Sequence, residues 1–320
     1  MILSSRLRDW ALLLICNLIW ASQFVMVKLV QEQMGPTFAA FFPMTIATLL
    51  LIPIVRREGP LRPPRRDWIH FVLLGVLGQV VAQLFITWGV RLSLASNAAL
   101  ISLALPVMTA VMAYFLLGER MSRIRWISFA LAIAGVMTCS GVDWKELNLT
   151  DTRFLLGNLM IFASINGSAF YNTYSKRILT RYSPLSVLLC SYYAVFAFML
   201  PVTLRSEPES FLRLPEFTPT VWLGLAILAF FQYFLSMVIF LNVLTRLDAT
   251  QAGLCNYLIP FFGVILAWLI LRERLTPAML AGGALVLAST LLITIYENNQ
   301  ETQPNSVPAA PQRPAEPFGR

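Results

Sequence analysis

Ten uncharged stretches, each rich in apolar residues, follow one another along the chain. None of them contains Asp, Glu, Lys or Arg, and the shortest has 17 residues. They lie between Asp9 and Lys28 and over 33–55, 68–90, 92–118, 126–142, 154–175, 182–204, 217–245, 249–271 and 275–296. About 20 residues of α-helix cross the hydrocarbon core of a bilayer, where every backbone polar group must be hydrogen-bonded within the protein. The pattern therefore predicts an all-α integral membrane protein with ten transmembrane helices.

The chain also repeats itself at long range. The segment ASNAALISLALP at 95–106 corresponds to ATQAGLCNYLIP at 249–260, an offset of 154 residues. The same offset relates GERMS at 118–122 to RERLT at 272–276. This correspondence indicates that the second half of the chain is a copy of the first.

An odd number of helices in each copy determines how the copies are oriented. Lys28 and Lys176 correspond at an offset of 148, but five helices separate them, so they end their helices on opposite sides of the membrane. The sequence thus predicts two inverted five-helix repeats, at 1–148 and 149–296, followed by a disordered cytoplasmic tail at 297–320. Inverted repeats of this kind are typical of transporters.

Composition and charge agree with a membrane protein. The chain is 58% hydrophobic and 12% charged, against about a quarter charged in soluble domains, and its mean hydropathy is +0.70. The net charge of +8 reflects topology, because 16 of the 24 Lys and Arg residues fall on the side that carries the N-terminus. The positive-inside rule then places both termini in the cytoplasm, with the protein in the cell membrane. No nucleic-acid partner is expected.

Two prolines interrupt helices near the predicted midplane. Pro106 and Pro260 lack the N–H that would bond the carbonyl four residues earlier, which belongs to Ser102 and Asn256 respectively. Each freed carbonyl thus comes with a polar side chain, once in each half. Interrupted helices that meet at the centre of a membrane protein indicate a binding site, and a packing kink is the alternative interpretation.

Amides and aromatic side chains recur in the same helices. The remaining candidate solute-binding residues are Trp20, Gln23, Gln79, Gln83, Asn166, Tyr171, Gln232 and Tyr257. A buried amide without a partner costs several kcal/mol, so these groups must face one another or a hydrated cavity. Hydrogen bonding between helices is the alternative for each residue taken singly.

Ionisable side chains are confined to the ends of the predicted spans. Without a buried cation the sequence disfavours a phosphate or carboxylate anion as solute, and without a buried carboxylate it shows no proton carrier at the midplane. We expect acids near the helix ends to pair with neighbouring arginines, such as Glu273 with Arg274 and Asp248 with Arg246. We expect Lys28 to extend to the membrane interface.

Three features resemble the EamA-type branch of the drug/metabolite transporter superfamily. They are the spacing of Trp20, Phe24 and Lys28, the LLGER segment at 116–120, and its repetition as LILRER at 269–274. The resemblance covers about 10–296 and implies ten helices in two halves and an export function. Two positions depart from the pattern: Arg272 replaces the usual glycine of the second motif, and Ser168 stands where the first half has Trp20.

The sequence therefore predicts a secondary transporter that exports a small neutral or zwitterionic organic solute, amino-acid-like or drug-like, by alternating access. A flippase for lipids or lipid-linked metabolites and an uptake carrier share the architecture and stay open, as does a sensor or structural role. An enzyme is disfavoured, since the only histidine, His70, lies near a span end and no metal-ligand spacing occurs. We expect no cofactor and no metal. The expected partners are the solute and membrane lipid, with the protein a monomer or weak homodimer.

Overall fold

The computed structural model describes residues 2–58, 63–117, 123–139, 152–246 and 258–301, and within them all regular secondary structure is helical. The long helices are α1 (Ile2–Val30), α2 (Pro36–Glu58), α3 (Arg65–Leu92), α4 (Ala95–Leu116), α5 (Arg123–Cys139), α6 (Thr152–Ile178), α7 (Pro184–Ser206), α8 (Pro219–Leu244), α9 (Leu258–Leu271) and α10 (Pro277–Glu301). A short helix, Pro208–Leu212, and a 3₁₀ turn, Leu214–Glu216, connect α7 to α8.

Among the described residues, seven helices are long and apolar enough to cross a membrane: α1, α2, α3, α4, α6, α7 and α8. The other three contain shorter apolar segments, namely Trp126–Gly135 in α5, Phe262–Leu271 in α9 and Pro277–Ser289 in α10. These findings confirm the prediction of an all-helical, multi-pass protein. Helix α10 continues to Glu301, past the predicted start of the tail at 297, and the rest of the tail lies outside the described residues.

Prolines mark where several helices begin. Helices α2, α7, α8 and α10 each start on a proline, whose missing N–H is one that the first turn of a helix leaves without a partner in any case. At α7 the preceding Ser183 caps the helix, because its hydroxyl oxygen accepts a hydrogen bond from the backbone N–H of Ser186 at 3.2 Å.

The helices pack in matched pairs across the chain. Helix α3 packs against α6 and α1 against α8; α1 contacts α9 as α6 contacts α4; and α2 contacts α8 as α7 contacts α3. Helix α2 also packs against α7, and α5 against α10. The core thus lies where α1, α3, α6 and α8 meet, and several contacts between the first five helices and the last five have a counterpart.

Two helices carry π-helical segments that the sequence patterns did not predict. These segments are Leu74–Val80 in α3 and Ile227–Leu235 in α8, and their first residues are 153 positions apart. A π-helical turn widens the helix and often marks a functional site. In α8 the backbone carbonyl of Tyr233 accepts a hydrogen bond from the hydroxyl of Tyr192 in α7, at 2.6 Å, which ties the widened segment to its neighbour.

Helices α3 and α6 approach each other at backbone distance. A Cβ atom built on Gly167 of α6 would lie 2.7 Å from the backbone nitrogen of Ala82 and 2.9 Å from the carbonyl oxygen of Gly78, both in α3. Small residues at such crossings let two helices pack tightly within a membrane. This crossing sets the separation of two helices that line the central cavity described below.

Arg272 is the non-glycine residue with positive φ among the described residues. Its φ is 55°, directly after the last residue of α9. Glycine adopts this left-handed conformation without the steric cost of a Cβ atom, and it commonly ends helices for that reason. The backbone thus accounts for the glycine that the resembling family has at this position.

We predict that Arg272→Gly stabilises the protein by roughly 0.5–1 kcal/mol, because relief of the left-handed strain exceeds the added freedom of the unfolded chain. The thermal midpoint of the detergent-solubilised protein measures the effect. Arg274→Gly is the matched control, since Arg274 has no positive φ, and it should not raise the midpoint. A lower midpoint for Arg272→Gly would contradict the explanation.

Candidate functional site

A cavity of about 100 Å³ lies among α1, α3, α4, α6, α8 and α9. It is lined by Trp20, Gln23, Phe24, Gln79, Ala82, Gln83, Ile86, Ser102, Leu105, Ser164, Ile165, Ser168, Tyr171, Asn172, Gln232, Met237 and Ile259. Most of these residues lie near the middle of their helices, which places the cavity deep in the bundle. Both halves of the chain contribute to its wall.

A network of amides holds one side of the cavity together. Gln23 is its centre: its Nε2 donates to Gln83 Oε1 at 2.6 Å, and its Oε1 accepts from Gln232 Nε2 at 2.8 Å. The Tyr233 hydroxyl donates to Gln83 Oε1 at 3.2 Å. Helices α1, α3 and α8 are thereby joined inside the membrane by polar groups that satisfy one another, as apolar surroundings require.

Trp20 extends this network toward α8. Its indole Nε1 donates to the hydroxyl of Ser236 at 2.9 Å, and that hydroxyl in turn donates to the backbone carbonyl of Gln232. The indole ring also meets Phe240 edge to face, with centroids 5.2 Å apart. The Trp20 ring is therefore fixed in orientation, and the residue forms part of the cavity wall.

The opposite wall, on α6, is different in character. Ser164, Ser168 and Asn172 recur every four residues and so lie on one face of that helix, where all three line the cavity. No side-chain hydrogen bond from these three to another described residue is present. A solute in the cavity would find hydrogen-bonding groups here that are not already engaged by the protein.

Two further polar atoms of the lining residues have no hydrogen-bond partner within the described part of the chain. These are the hydroxyl of Tyr171 and the Oε1 atom of Gln232, both buried. An unpartnered polar atom in an apolar environment is costly, so a conformation that pairs these atoms with a solute or with water would be favoured. They add hydrogen-bonding capacity next to the α6 wall.

The cavity carries no Asp, Glu, Lys, Arg or His among its described lining residues. The rest of the wall is apolar, through Phe24, Ile86, Leu105, Met237 and Ile259 among others. Such a site discriminates by shape and by hydrogen bonds rather than by net charge. Among those lining residues, a fixed anion such as a phosphate would find no cation to pair with it.

Seven of the predicted site residues line this cavity: Trp20, Gln23, Gln79, Gln83, Ser102, Tyr171 and Gln232. Asn166 does not; its amide Nδ2 instead donates to the carbonyl of Phe162 one turn earlier in α6, at 2.8 Å. Asn256 and Tyr257 lie outside the described residues. Pro260 is the third residue of α9, and the chain before that helix is likewise outside the described ranges.

The prediction of a free carbonyl at Ser102 was wrong. Residues Ser102–Ala104 form a 3₁₀ turn immediately before Pro106, in which the N–H of Leu105 donates to the Ser102 carbonyl. The tighter turn gives that carbonyl a partner three residues on, in place of the one that proline removes. The Ser102 hydroxyl is engaged as well, donating to the Ala99 carbonyl at 2.6 Å.

Some site residues were missed from the sequence. Ser164, Ser168 and Asn172 are a regular polar stripe on a membrane helix, a signal that was available in their four-residue spacing. Tyr233 does not line the cavity but bonds Gln83, and it lies in the π-helical segment of α8, which a hydrophobicity pattern does not signal.

At its ends the bundle is held by charged groups whose partners differ from those predicted. Arg246 pairs with Asp9, at 2.7 Å from Nη2 to Oδ1, and this hydrogen bond lowers the pKa of Asp9 despite its burial. The stability from this pair is therefore present above the ordinary pKa of an aspartate and lost as pH falls through the lowered value. Asp248, the predicted partner of Arg246, is outside the described residues.

The ammonium of Lys28 bonds the carbonyls of Val90 and Ser93, at 2.8 and 2.9 Å, and so caps the end of α3.

Comparison with known proteins finds a transporter family and similar proteins that are named as transporters. The model of the EamA-like transporter family matches over residues 10–141 and 155–295. A probable terminal-alkyne amino-acid exporter of Streptantibioticus cattleyicolor is 28% identical over 286 residues, covering 89% of this chain and 92% of the relative. An S-adenosylmethionine/S-adenosylhomocysteine transporter of Chlamydia trachomatis is 25% identical over 281 residues, covering 86% of this chain and 85% of the relative. A solved crystal structure aligns with a TM-score of 0.63 at 18% identity, covering 92% of this chain and 99% of its own, and so shares the fold.

Proposed function

Because the chain belongs to the EamA-like transporter family, we propose that it is a secondary transporter that exports a small neutral or zwitterionic organic solute by alternating access. Transport itself follows from the family; the solute class, the direction and the mechanism are the proposal. The observation that carries the solute class is the central cavity, which is polar, is built by both halves and has no charged side chain among its described lining residues.

The proposed mechanism needs two inverted five-helix halves, 1–148 and 149–296, with α5, α9 and α10 also crossing the membrane. Support comes from the family model, which matches once in each half. The π-helical segments occur in α3 and again in α8, and several helix contacts of one half are matched by equivalent contacts of the other. Two such halves can rock about a central site and expose it to each side in turn.

The amino-acid-like or drug-like character of the solute is supported by the two kinds of wall. Amides on α1, α3 and α8 bond one another, while the hydroxyl and amide groups of the α6 wall bond no other side chain among the described residues. Two of the similar proteins are named for amino-acid-derived solutes. An aromatic or aliphatic side chain of the solute would pack on Phe24, Ile86 and Met237.

The proposed location in the cell membrane rests on the distribution of Lys and Arg residues, and the proposed direction of transport rests on similarity to a named exporter. The side bearing the N-terminus has 16 of the 24 Lys and Arg residues, which favours cytoplasmic termini in the cell membrane. One similar protein is named as an exporter. Reporter fusions near Arg57, near Thr180 and at the C-terminus should all report cytoplasm, and an external C-terminus would overturn the proposed orientation.

Counterflow in proteoliposomes tests the solute class. We expect exchange of a labelled neutral or zwitterionic amino acid or related compound, saturable and abolished in protein-free vesicles. A sugar phosphate offered at the same concentration should not exchange. Saturable exchange of the phosphate instead would refute the proposed class.

We predict that Asn172→Leu weakens affinity for the transported solute roughly tenfold, as expected when one hydrogen bond to the solute is lost. The thermal midpoint should stay close to that of the wild type, because no described residue bonds this amide. Asn166→Leu is the matched control on the same helix: its amide bonds Phe162 and lies outside the cavity lining, so affinity should be unchanged. Equal affinities for both variants and the wild type would remove Asn172 from the binding site.

A further inference from the structure

One carboxylate from the second half of the chain caps the N-terminus of a helix in the first half. Glu207, directly after α7, is only 7% exposed, and its two oxygens accept hydrogen bonds from the backbone N–H groups of Thr37 and Phe38 at 2.9 and 2.8 Å. These residues lie in the first turn of α2. A Cβ atom built on Gly35 would overlap the carboxylate, so the chain there lies directly against it.

A second carboxylate does the same for another helix. Glu273, directly after Arg272, accepts from the backbone N–H groups of Ala95 and Ser96 at 3.0 and 2.9 Å, and from the Ser96 hydroxyl at 2.6 Å. The predicted pairing of Glu273 with Arg274 is replaced by this contact. The left-handed turn at Arg272 is what ends α9 and turns the chain toward the start of α4.

Both contacts lie at one end of the bundle, which we call the α4 end, where α2 and α4 begin. Each joins a carboxylate of the second half to a helix N-terminus of the first. Such a pairing is favourable because the first-turn N–H groups lack partners within their helix and the helix dipole is positive there. Charge-assisted hydrogen bonds of this kind are stronger than neutral ones.

The opposite end, called here the α7 end because α3 and α7 begin there, is joined by different groups. Tyr182 donates to the carboxylate of Asp67, and burial raises the pKa of Tyr182 to about 12, so the hydroxyl remains a donor. The Ser183 hydroxyl donates to Glu58 at 3.1 Å. The two ends are therefore held by separate sets of bonds between the halves.

We propose that Glu207 and Glu273 are a latch that holds the α4 end closed and that releases when the site opens to that side. The inference rests on the proposed rocking of the two halves, in which one end parts while the other stays packed. Both carboxylates must leave their helix N-termini together when the α4 end parts. Water then takes over both the carboxylates and the freed N–H groups, so release is reversible and these bonds contribute directly to its cost.

Distances between spin labels at each end test the latch without any solute. One label pair, Glu32→Cys with Leu212→Cys, spans the two halves at the α4 end, and a second pair, Arg57→Cys with Thr180→Cys, spans them at the α7 end. All four positions are exposed and lie outside the latch. Pulsed electron–electron distance measurements on the full chain, with the native cysteines replaced, give the populations of open and closed protein at each end.

We expect the double variant Glu207→Gln, Glu273→Gln to raise the ratio of open to closed protein at the α4 end roughly tenfold, because each amide keeps one acceptor but loses the charge. The α7 pair should show no widening. Glu209→Gln is the matched control: Glu209 is an exposed acid two residues from Glu207 whose carboxylate accepts no hydrogen bond from another described residue, and the change should leave both distances unchanged.

A double variant with the distances of the wild type would overturn the latch. Should it fail to insert, Ser96→Ala removes one bond to Glu273 and keeps both carboxylates, and a smaller shift in the same direction is then expected; no shift would again overturn the proposal. Failure of the proposed function is seen separately. In that case the wild type itself shows no counterflow, whatever the label distances report.

Discussion

Replacing Gly167 by alanine should destabilise the protein by roughly 1–3 kcal/mol and strongly reduce transport. The new Cβ atom would lie 2.7 Å from the backbone nitrogen of Ala82 and 2.9 Å from the carbonyl oxygen of Gly78. Backbone atoms in a packed helix cannot rotate away, so α3 and α6 must separate. Both helices line the cavity, and their separation moves the α6 wall away from the amide network.

Gly283→Ala provides the control for this prediction. There the new Cβ atom would meet a side-chain methyl of Leu100 at 2.7 Å, which can move by a change of rotamer. In a helix interior alanine is otherwise favoured over glycine by about 1 kcal/mol, so Gly283→Ala should be neutral or stabilising. Thermal unfolding and proteoliposome counterflow on both variants decide the matter. If the two alanines have effects of the same sign, the close approach of α3 and α6 does not control stability.

Gln23→Leu is expected to lower stability by roughly 1–3 kcal/mol and to abolish transport, because it removes the centre of the amide network. The change leaves Gln232 Nε2 without its acceptor. It also removes the 2.6 Å donor of Gln83 Oε1, which keeps only the weaker bond from the Tyr233 hydroxyl at 3.2 Å. Single interhelical hydrogen bonds in membranes are worth only about 0.6 kcal/mol on average. The larger effect predicted here comes from the buried Gln232 amide, whose Oε1 already has no partner among the described residues and whose Nε2 would lose its acceptor as well.

A double-mutant cycle with Gln83→Leu separates the network from simple loss of packing. If Gln23 and Gln83 act through their mutual hydrogen bond, the double variant should lose clearly less stability than the sum of the two single variants. Additive losses would show that the two amides act independently. Transport should be lost in all three variants, since each alters the wall of the cavity.

Much of the cavity lining was predictable because an unpaired polar group is energetically costly within a membrane. Trp20, Gln23, Gln79, Gln83 and Gln232 were chosen from sequence only because they are polar within uncharged stretches, and all five line one cavity. The same reasoning could not separate Asn166 from Asn172. They lie on the same helix, and only the structure shows that the first bonds its own backbone while the second lines the cavity.

Backbone irregularities limited the prediction elsewhere. The proline at 106 predicts a free carbonyl at Ser102, whereas in the structure the helix tightens into a 3₁₀ turn and the N–H of Leu105 donates to that carbonyl. The π-helical segment of α8 contains both Gln232 and Tyr233, and both side chains join the amide network. Local changes of this kind depend on how neighbouring helices pack, which residue patterns do not encode.

By itself the sequence determined that the chain is helical, lies in a membrane, repeats itself and carries a polar but uncharged interior. These properties follow from residue types and spacing, because lipid admits only apolar surfaces and internally bonded backbone. The tertiary structure alone decided which amides bond one another, which wall of the cavity remains free, and that Glu207 and Glu273 cap helices of the other half. Those features join residues at least 60 and mostly more than 150 positions apart, and their geometry is fixed only when distant helices pack together.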